Sequence, residues 1–460
     1  MNKKLVGFIL SIVVAGILWV LPMPGGLSPE GQKALAVTVF TVIWWIFGVT
    51  HPAYTTMVMF LGYILLGLAT PEIVFRLASL PLLWLVIGAF LLATAVTKSG
   101  LAKRVAYIFM IRFANSYRSI VVLAYTLGFI LSFLIPQPFP RTLLIMALVA
   151  QIIKKSGANK KDSASLGLAV FTSATATSMI LLTGDAMLNV AAVAFTGVHV
   201  GWLEWLSYMA VPGFFASILM MGLHLLVFRQ TGPMQIDQGS LLEEQKNLGP
   251  LRRQEKATIA WIVIALVLWA TDFLHHVDPS WIALGVVVGL SLPIVGDVLE
   301  PNDINTGVAW PIVIFVIGAL AIGTVGKETG LSQWLARVAL PAEPPTSAFS
   351  FAALTALATM AIHMVLGSAL ACMSIVSPPL VDYAVAAGWS PVFPALLVYT
   401  AVQIHYLLPF QHVTVLLGEG EKAGGYTSAH VMKYGLPLTI VTLIVILLIE
   451  VPWWKLIGLI

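Results

Sequence analysis

Charge is what this 460-residue sequence most lacks. Lys, Arg, Asp and Glu make up 10% of it, 24 basic against 20 acidic, where a soluble domain carries about a quarter. So few charges cannot cover a soluble surface of this size. A soluble enzyme, a disordered chain and a nucleic-acid-binding domain are thereby excluded. The formal net charge of +4 implies no polyanionic partner, because basic residues flanking membrane spans account for it. Cysteine is nearly missing as well. Cys372 stands alone, so neither an intrachain disulfide nor a Cys-x-x-Cys metal site can form. There is no His-Glu-x-x-His, no Gly-x-Ser-x-Gly and no Walker-type loop ending in Gly-Lys-Ser/Thr. ATP-driven transport and the recognisable hydrolases therefore have no foothold.

What is present is apolar: 59% of residues, with 22 Phe and 14 Trp and a mean hydropathy of +0.96. A membrane span needs about 20 apolar residues. The full spans read from the sequence are 5–21, 34–49, 53–69, 80–96, 165–189, 205–228, 257–271, 281–295, 310–325, 392–417 and 436–457. Two further pairs, 119–135 with 142–153 and 347–366 with 371–386, read as re-entrant hairpins. The expected fold is an all-α polytopic membrane protein of about 11 transmembrane helices and two hairpins. Lys3 and Lys4 precede the first run, which ends in Pro22-Met23-Pro24 without a small-x-small cleavage site, so a retained span is expected rather than a signal peptide. With the N-terminus cytoplasmic, the basic clusters at 98–118, 154–161 and 229–256, with Lys422 and Lys433, fall inside. Lys33, Arg76, Lys327, Arg337 and Lys455 fall outside, as does the C-terminus. The reverse orientation would invert this bias.

The chain also repeats itself. Residues 86–101, VIGAFLLATAVTKSGL, recur as 316–331, VIGALAIGTVGKETGL, at an offset of half the chain. Seven of the 16 aligned positions are identical. In the expected topology the first copy ends inside and the second outside, so the repeats are inverted. The organisation is then an N-terminal extra helix (1–33), a first repeat (34–228), a cytoplasmic linker (229–256) read as solvated, and a second repeat (257–460). Inverted repeats with broken helices are a secondary-transporter architecture, with substrate held near the midplane between the breaks.

The breaks fall in matching places. Pro136-Gln137-Pro138-Phe139-Pro140 cannot continue a helix and reads as the first hairpin tip, with Gly367-Ser368-Ala369 as its counterpart. Two more breaks are expected at 172–189 and 409–412. Backbone polar groups in a membrane must be satisfied internally or line a wet cavity. A helix N-terminus at each tip suits a carboxylate, and Arg141 adds a fixed cation beside the first. An intramembrane Arg is a functional-site hypothesis by default; the alternative is that it reaches the cytoplasmic interface. Gln137, Thr142, Ser368, Asn189, Gln411 and His412 complete the candidate anion site. Asp185, beside Gly184, is placed to bind a cation, carry a proton or pair with Arg141, with Thr177, Ser178 and Thr414 as neutral ligands. Its alternative is a solvated position at a helix end. Thr and Ser in membrane helices often only bond a backbone carbonyl. His363 and His405, on neighbouring spans, are as consistent with structural roles as with proton relay.

The run Gly88-x-Phe90-x-x-Ala93-x-Ala95-x-x-x-x-Gly100-Leu101-x-x-Arg104 resembles the divalent anion:sodium symporter family of di- and tricarboxylate and sulfate carriers. The likeness extends over nearly the whole chain, including 45–52, 177–189 and Gly425-Tyr426, and the citrate/succinate exchanger branch is similar around Arg141 and Asn189. It implies an elevator-type carrier, a homodimer in the plasma membrane, with sodium ions as the only ligands besides a small anion and no cofactor. The family's tips carry Ser-Asn-Thr; here the tips read Gln137-Pro138-Phe139 and Ser368-Ala369-Leu370, keeping only Ser368. The leading expectation is thus a secondary carrier of a di- or tricarboxylate or an inorganic divalent anion, coupled to sodium. A proton-coupled or exchange carrier of another ion, a non-transporting relative and a membrane-embedded enzyme are the alternatives, the last with too few titratable groups to support it.

Overall fold

The computed structural model describes residues 2–21, 25–343, 345, 347–421 and 423–460. Pro22 to Pro24 and Lys422, used above for the end of the first span and for the inside charge bias, lie outside the described residues. Among the described residues the chain is helical throughout, with one isolated bridge, Glu419 to Tyr426. Seven helices in this set are long and apolar enough to cross a membrane: Lys3–Val20, Pro81–Ser99, Trp202–Val227, Trp310–Glu328, Ala348–Leu366, Ala369–Ala386 and Ser428–Leu456.

Helix starts follow local chemistry. Proline opens Pro29–Phe47, Pro52–Leu65, Pro81–Ser99, Pro138–Ser156 and Pro279–Ser291, a position where its missing N–H leaves no bond unmade. Side-chain N-caps start others, among them Asn159, Ser347 and Ser368.

The sequence repeat is a structural one. In the first half the order is Pro81–Ser99, Leu101–Phe113, Tyr117–Ser132, Pro138–Ser156, then Lys160–Thr177. In the second it is Trp310–Glu328, Leu331–Ala339, Ala348–Leu366, Ala369–Ala386, then Val392–Gln403. Gly100 (φ 82°) and Gly330 (φ 74°) make the same left-handed corner between the first two elements of each set, which a Cβ would strain. Each last element is interrupted and resumes, as Leu188–Thr196 and Val413–Leu417. The halves then cross over. Leu188–Thr196 packs on the second hairpin's return helix, Ala369–Ala386, and Val413–Leu417 packs on the first hairpin's, Pro138–Ser156.

Three local expectations change. The first break is shorter than read: Lys160–Thr177 stays helical, so 172–177 belong to the helix and the interruption is 178–187. The Ser and Thr of that run form i−3 and i−4 back-bonds that leave the helix intact. The linker is not merely solvated. It contains Gln238–Asn247, which packs on Leu101–Phe113 with Leu241 buried. Arg104 closes this dock by donating to both Glu255 oxygens (Nε–Oε1 2.6 Å, Nη2–Oε2 3.0 Å) and to the carbonyl of Gly249 (2.9 Å). Finally, the last helix contains a π segment, Val445–Glu450, which apolar patterning does not reveal.

The Arg104–Glu255 pair is nearly removed from water on the acid side, so losing one partner leaves an uncompensated charge. Arg104→Ala and Glu255→Ala are each expected to lower the melting temperature of the detergent-solubilised protein by about 3 °C. The double variant should fall by less than their sum; strict additivity would show that the pair is not coupled.

Candidate functional site

The first tip is a tight turn after Tyr117–Ser132, in which Ile135 N–H reaches back to the Leu131 carbonyl (2.7 Å). Its return helix begins at Pro138, and Gln137 makes no capping bond there. Arg141, in the first turn, is completely buried. It does not extend to an interface. Its Nη1 donates to the carbonyls of Ile135 (3.1 Å) and Gly184 (3.2 Å), and its Nη2 to Ser178 Oγ (2.5 Å). Ala186 N–H also donates to the Pro136 carbonyl (3.3 Å). The tip and the 178–187 break are thus stitched together, largely by one guanidinium.

Asn189 closes the same break from the other end. Its Nδ2 faces the carbonyls of Ser178 (3.0 Å), Leu181 (2.8 Å) and Leu182 (3.2 Å). Gly184 is required by space: a Cβ there would stand 2.5 Å from the Ser178 carbonyl oxygen. Asp185 is buried rather than solvated. Its Oδ1 accepts from Met187 N–H (3.1 Å) and Leu188 N–H (3.2 Å), starting the resumed helix, while Oδ2 has no partner. Arg141 and Asp185 form no ion pair within 4.0 Å. Thr142 and Thr177 spend their hydroxyls within their own helices, on the carbonyls of Phe139 and Ser173 (2.8 Å each).

The second tip uses different residues for the same purpose. Ser368 Oγ accepts from Ala371 N–H at 3.4 Å, so this helix start is capped where the first is not. A Cβ on Gly367, the preceding residue, would lie 2.7 Å from the Phe410 ring, which seats this tip on the break at 404–412. Gln411 holds that break closed: its Oε1 accepts from the N–H of Leu407 (2.7 Å) and Leu408 (2.8 Å), and its Nε2 donates to the His363 carbonyl (3.2 Å). His363 Nε2 donates to the Gln411 carbonyl (3.0 Å). His405 lies beside it, the ring centroids 6.3 Å apart. His412 Nε2 meets Gln403 Oε1 (3.4 Å).

Gln403 joins the two clusters and was missed in the sequence. Its Nε2 donates to the Thr175 carbonyl (2.9 Å) in the first half. The signal was a single amide at the end of an otherwise apolar run, immediately before the break. At the first tip Gln137 Nε2, and in the resumed second helix Thr414 Oγ1, are buried and have no partner. A crevice of about 600 Å³, rimmed by Arg76, Asp278, Lys327, Glu328 and Asp382, also touches Leu182 of the first break. Among the described residues no group of three or more His, Cys, Asp or Glu is placed to hold a metal ion.

Residues 2–460 match the sodium:sulfate symporter transmembrane region. The chain belongs to that family. It is 25% identical to the putative malate transporter YflS of Bacillus subtilis, over 99% of this chain and 97% of that one. Dicarboxylate transporter 1 of Arabidopsis thaliana is 26% identical over 98% of this chain and 82% of its own length. The citrate/succinate antiporter of Escherichia coli K12 is 23% identical over 71% and 72%. In fold, the YdaH transporter of Alcanivorax borkumensis aligns over 100% of this chain and 99% of that one, with a TM-score of 0.51 at 15% identity. These relatives are transporters, and the chain is a multi-pass membrane transporter of small anions, not an enzyme.

Within this family member, Arg141 is expected to be indispensable. Arg141→Ala should reduce anion uptake at least 100-fold in protein that still inserts and elutes as a single species. Arg141→Lys keeps a charge but cannot reach three acceptors on two segments, and should retain no more than about a tenth of uptake. Wild-type uptake by Arg141→Lys would show that charge alone matters.

Proposed function

We propose that the chain is a secondary active carrier of a small di- or tricarboxylate, coupled to sodium and moving its site across the bilayer by an elevator motion, as a homodimer in the plasma membrane. The observation that carries this reading is the crossed arrangement of hairpins and breaks. Each tip rests on the break of its own half, and each resumed helix packs on the hairpin of the other. The partnerless Nε2 of Gln137, at the first tip, supplies a donor for an anion there. Arg141 contributes a fixed positive charge beside it. Malate and citrate, cargoes named for two of the relatives, are the first candidates.

A second reading, coupling to protons or to exchange, is favoured by what occupies the first break. The carbonyls of Ser178, Leu181, Leu182 and Gly184, which would otherwise suit sodium, already face Asn189 and Arg141 donors. A guanidinium bound to one of these carbonyls, that of Gly184, repels a second cation.

Purified protein in proteoliposomes separates these readings. Saturable uptake of radiolabelled malate or citrate, inhibited by the unlabelled acid and not by sulfate, is expected. Under the leading reading an inward sodium gradient raises the initial rate at least fivefold over potassium. Uptake indifferent to sodium but driven by an inward proton gradient, or only by internal dicarboxylate, establishes the second. Gln137→Ala should raise KM for the anion more than it lowers kcat. If no anion moves under any gradient, both fall.

A further inference from the structure

A cavity of about 310 Å³ lies where the start of Lys160–Thr177, the end of Trp202–Val227 and the start of Ser428–Ile444 come together, three helices packed on one another. Its lining includes no residue of either break. Three basic side chains line it: Lys161, Arg229 and Lys433. None of them is in an ion pair among the described residues. The single acid of the lining, Asp162, is buried and already engaged. It accepts from Asn159 Nδ2 (3.0 Å), from Thr231 N–H and Oγ1 (2.9 Å each) and from Gly232 N–H (3.0 Å). Three cations less one acid leave the cavity two positive charges in excess.

The cations are placed by an aromatic floor. Lys433 Nζ stands 5.0 Å from the centroid of the buried Phe228 ring, a cation–π distance. His430 stacks on the same ring, with centroids 6.4 Å apart. The Nδ1 of His430 meets Thr427 Oγ1 (2.9 Å), so Nε2 is the nitrogen left for a ligand.

An apolar stripe runs on from this basic end. Ala429 and Lys433 line the cavity, and Leu436 and Ile440 continue the same helical face three and seven residues beyond Lys433. Leu436 is 59% exposed and Ile440 63%. Leu226, next to Val227 of the cavity wall, is also exposed. Large apolar side chains exposed on a spanning helix meet lipid tails, which are as apolar as they are. A basic pocket between spans is suited to a lipid headgroup.

We propose that this cavity binds the phosphate of an anionic phospholipid, whose acyl chains lie along Leu436 and Ile440. The cationic end and the apolar stripe share one helix face, which favours a lipid over a free anion. A soluble phosphate engages the first and gains nothing from the second. The bound lipid joins the helix that leads into the first break, Lys160–Thr177, to the last helix of the chain. The site depends on neither the cargo nor the coupling ion of the carrier.

The test uses the full-length protein in a neutral detergent. Its probes are phosphatidylglycerol and phosphatidylcholine of matched chains, glycerol 3-phosphate and inorganic phosphate. Phosphatidylglycerol is expected to raise the melting temperature saturably and to stay bound in native mass spectra, while the other three do neither. Lys161→Gln combined with Arg229→Gln replaces two exposed side chains outside any ion pair, and should leave the lipid-free melting temperature unchanged. It is expected to weaken phosphatidylglycerol binding at least tenfold, since each basic residue near a membrane surface contributes about fivefold. Lys154→Gln combined with Lys155→Gln removes two exposed charges that do not line the cavity, and should leave that affinity unchanged. Equal stabilisation by phosphatidylcholine overturns the site, as does an equal loss in both double variants or no loss in the first. Failure of phosphatidylglycerol to bind does the same. Saturation by either soluble phosphate at the same concentrations makes this a site for a free anion and overturns the lipid.

Discussion

Unpaired backbone in a bilayer has no water to turn to, and every feature of the centre of this molecule answers to that constraint. Interrupting a helix frees carbonyls and N–H groups at mid-depth. Here a few side chains take them up: Arg141 and Asn189 at the first interruption, Gln411 and His363 at the second. All four are buried. The interruptions survive because these amides, ring and guanidinium stand in for helix bonds that the breaks forgo. Arg141 is therefore scaffolding as much as charge, and an anion site placed beside it inherits rigid walls.

The two halves solve the same problem with different residues. A guanidinium and a carboxamide serve one, a histidine and a carboxamide the other. The first tip leaves its helix start uncapped, while Ser368 caps the second. Backbone symmetry thus coexists with chemical asymmetry.

Much of this was legible in the sequence, because its signals were coarse and local. Scarce charge gave the membrane. A 16-residue self-match gave the repeat, down to the left-handed corners at Gly100 and Gly330. The Pro136–Pro140 cluster gave a tip, since three prolines cannot be helical interior. The roles of single polar residues were not legible. Thr142 and Thr177 looked like ligands but satisfy their own helices, an outcome decided by side-chain rotamer. Asp185 read as a cation ligand, a proton carrier, a partner for Arg141 or a solvated helix end; it is buried and starts a helix with one oxygen to spare. Gln403 and Glu450 carry no motif. Each is a lone polar residue in an apolar run, and only the packing of distant segments shows what it meets. The docked linker was read as solvated because its composition is polar, yet one leucine and one bidentate ion pair hold it down.

Gln403 has a mechanical implication. Its amide ties the backbone just ahead of the second interruption to the Thr175 carbonyl just ahead of the first. The two weak points of the molecule are therefore pinned to each other at their roots. Separating the two interruptions at their roots would cost this bond, so the midsection is one tied unit rather than two independent joints.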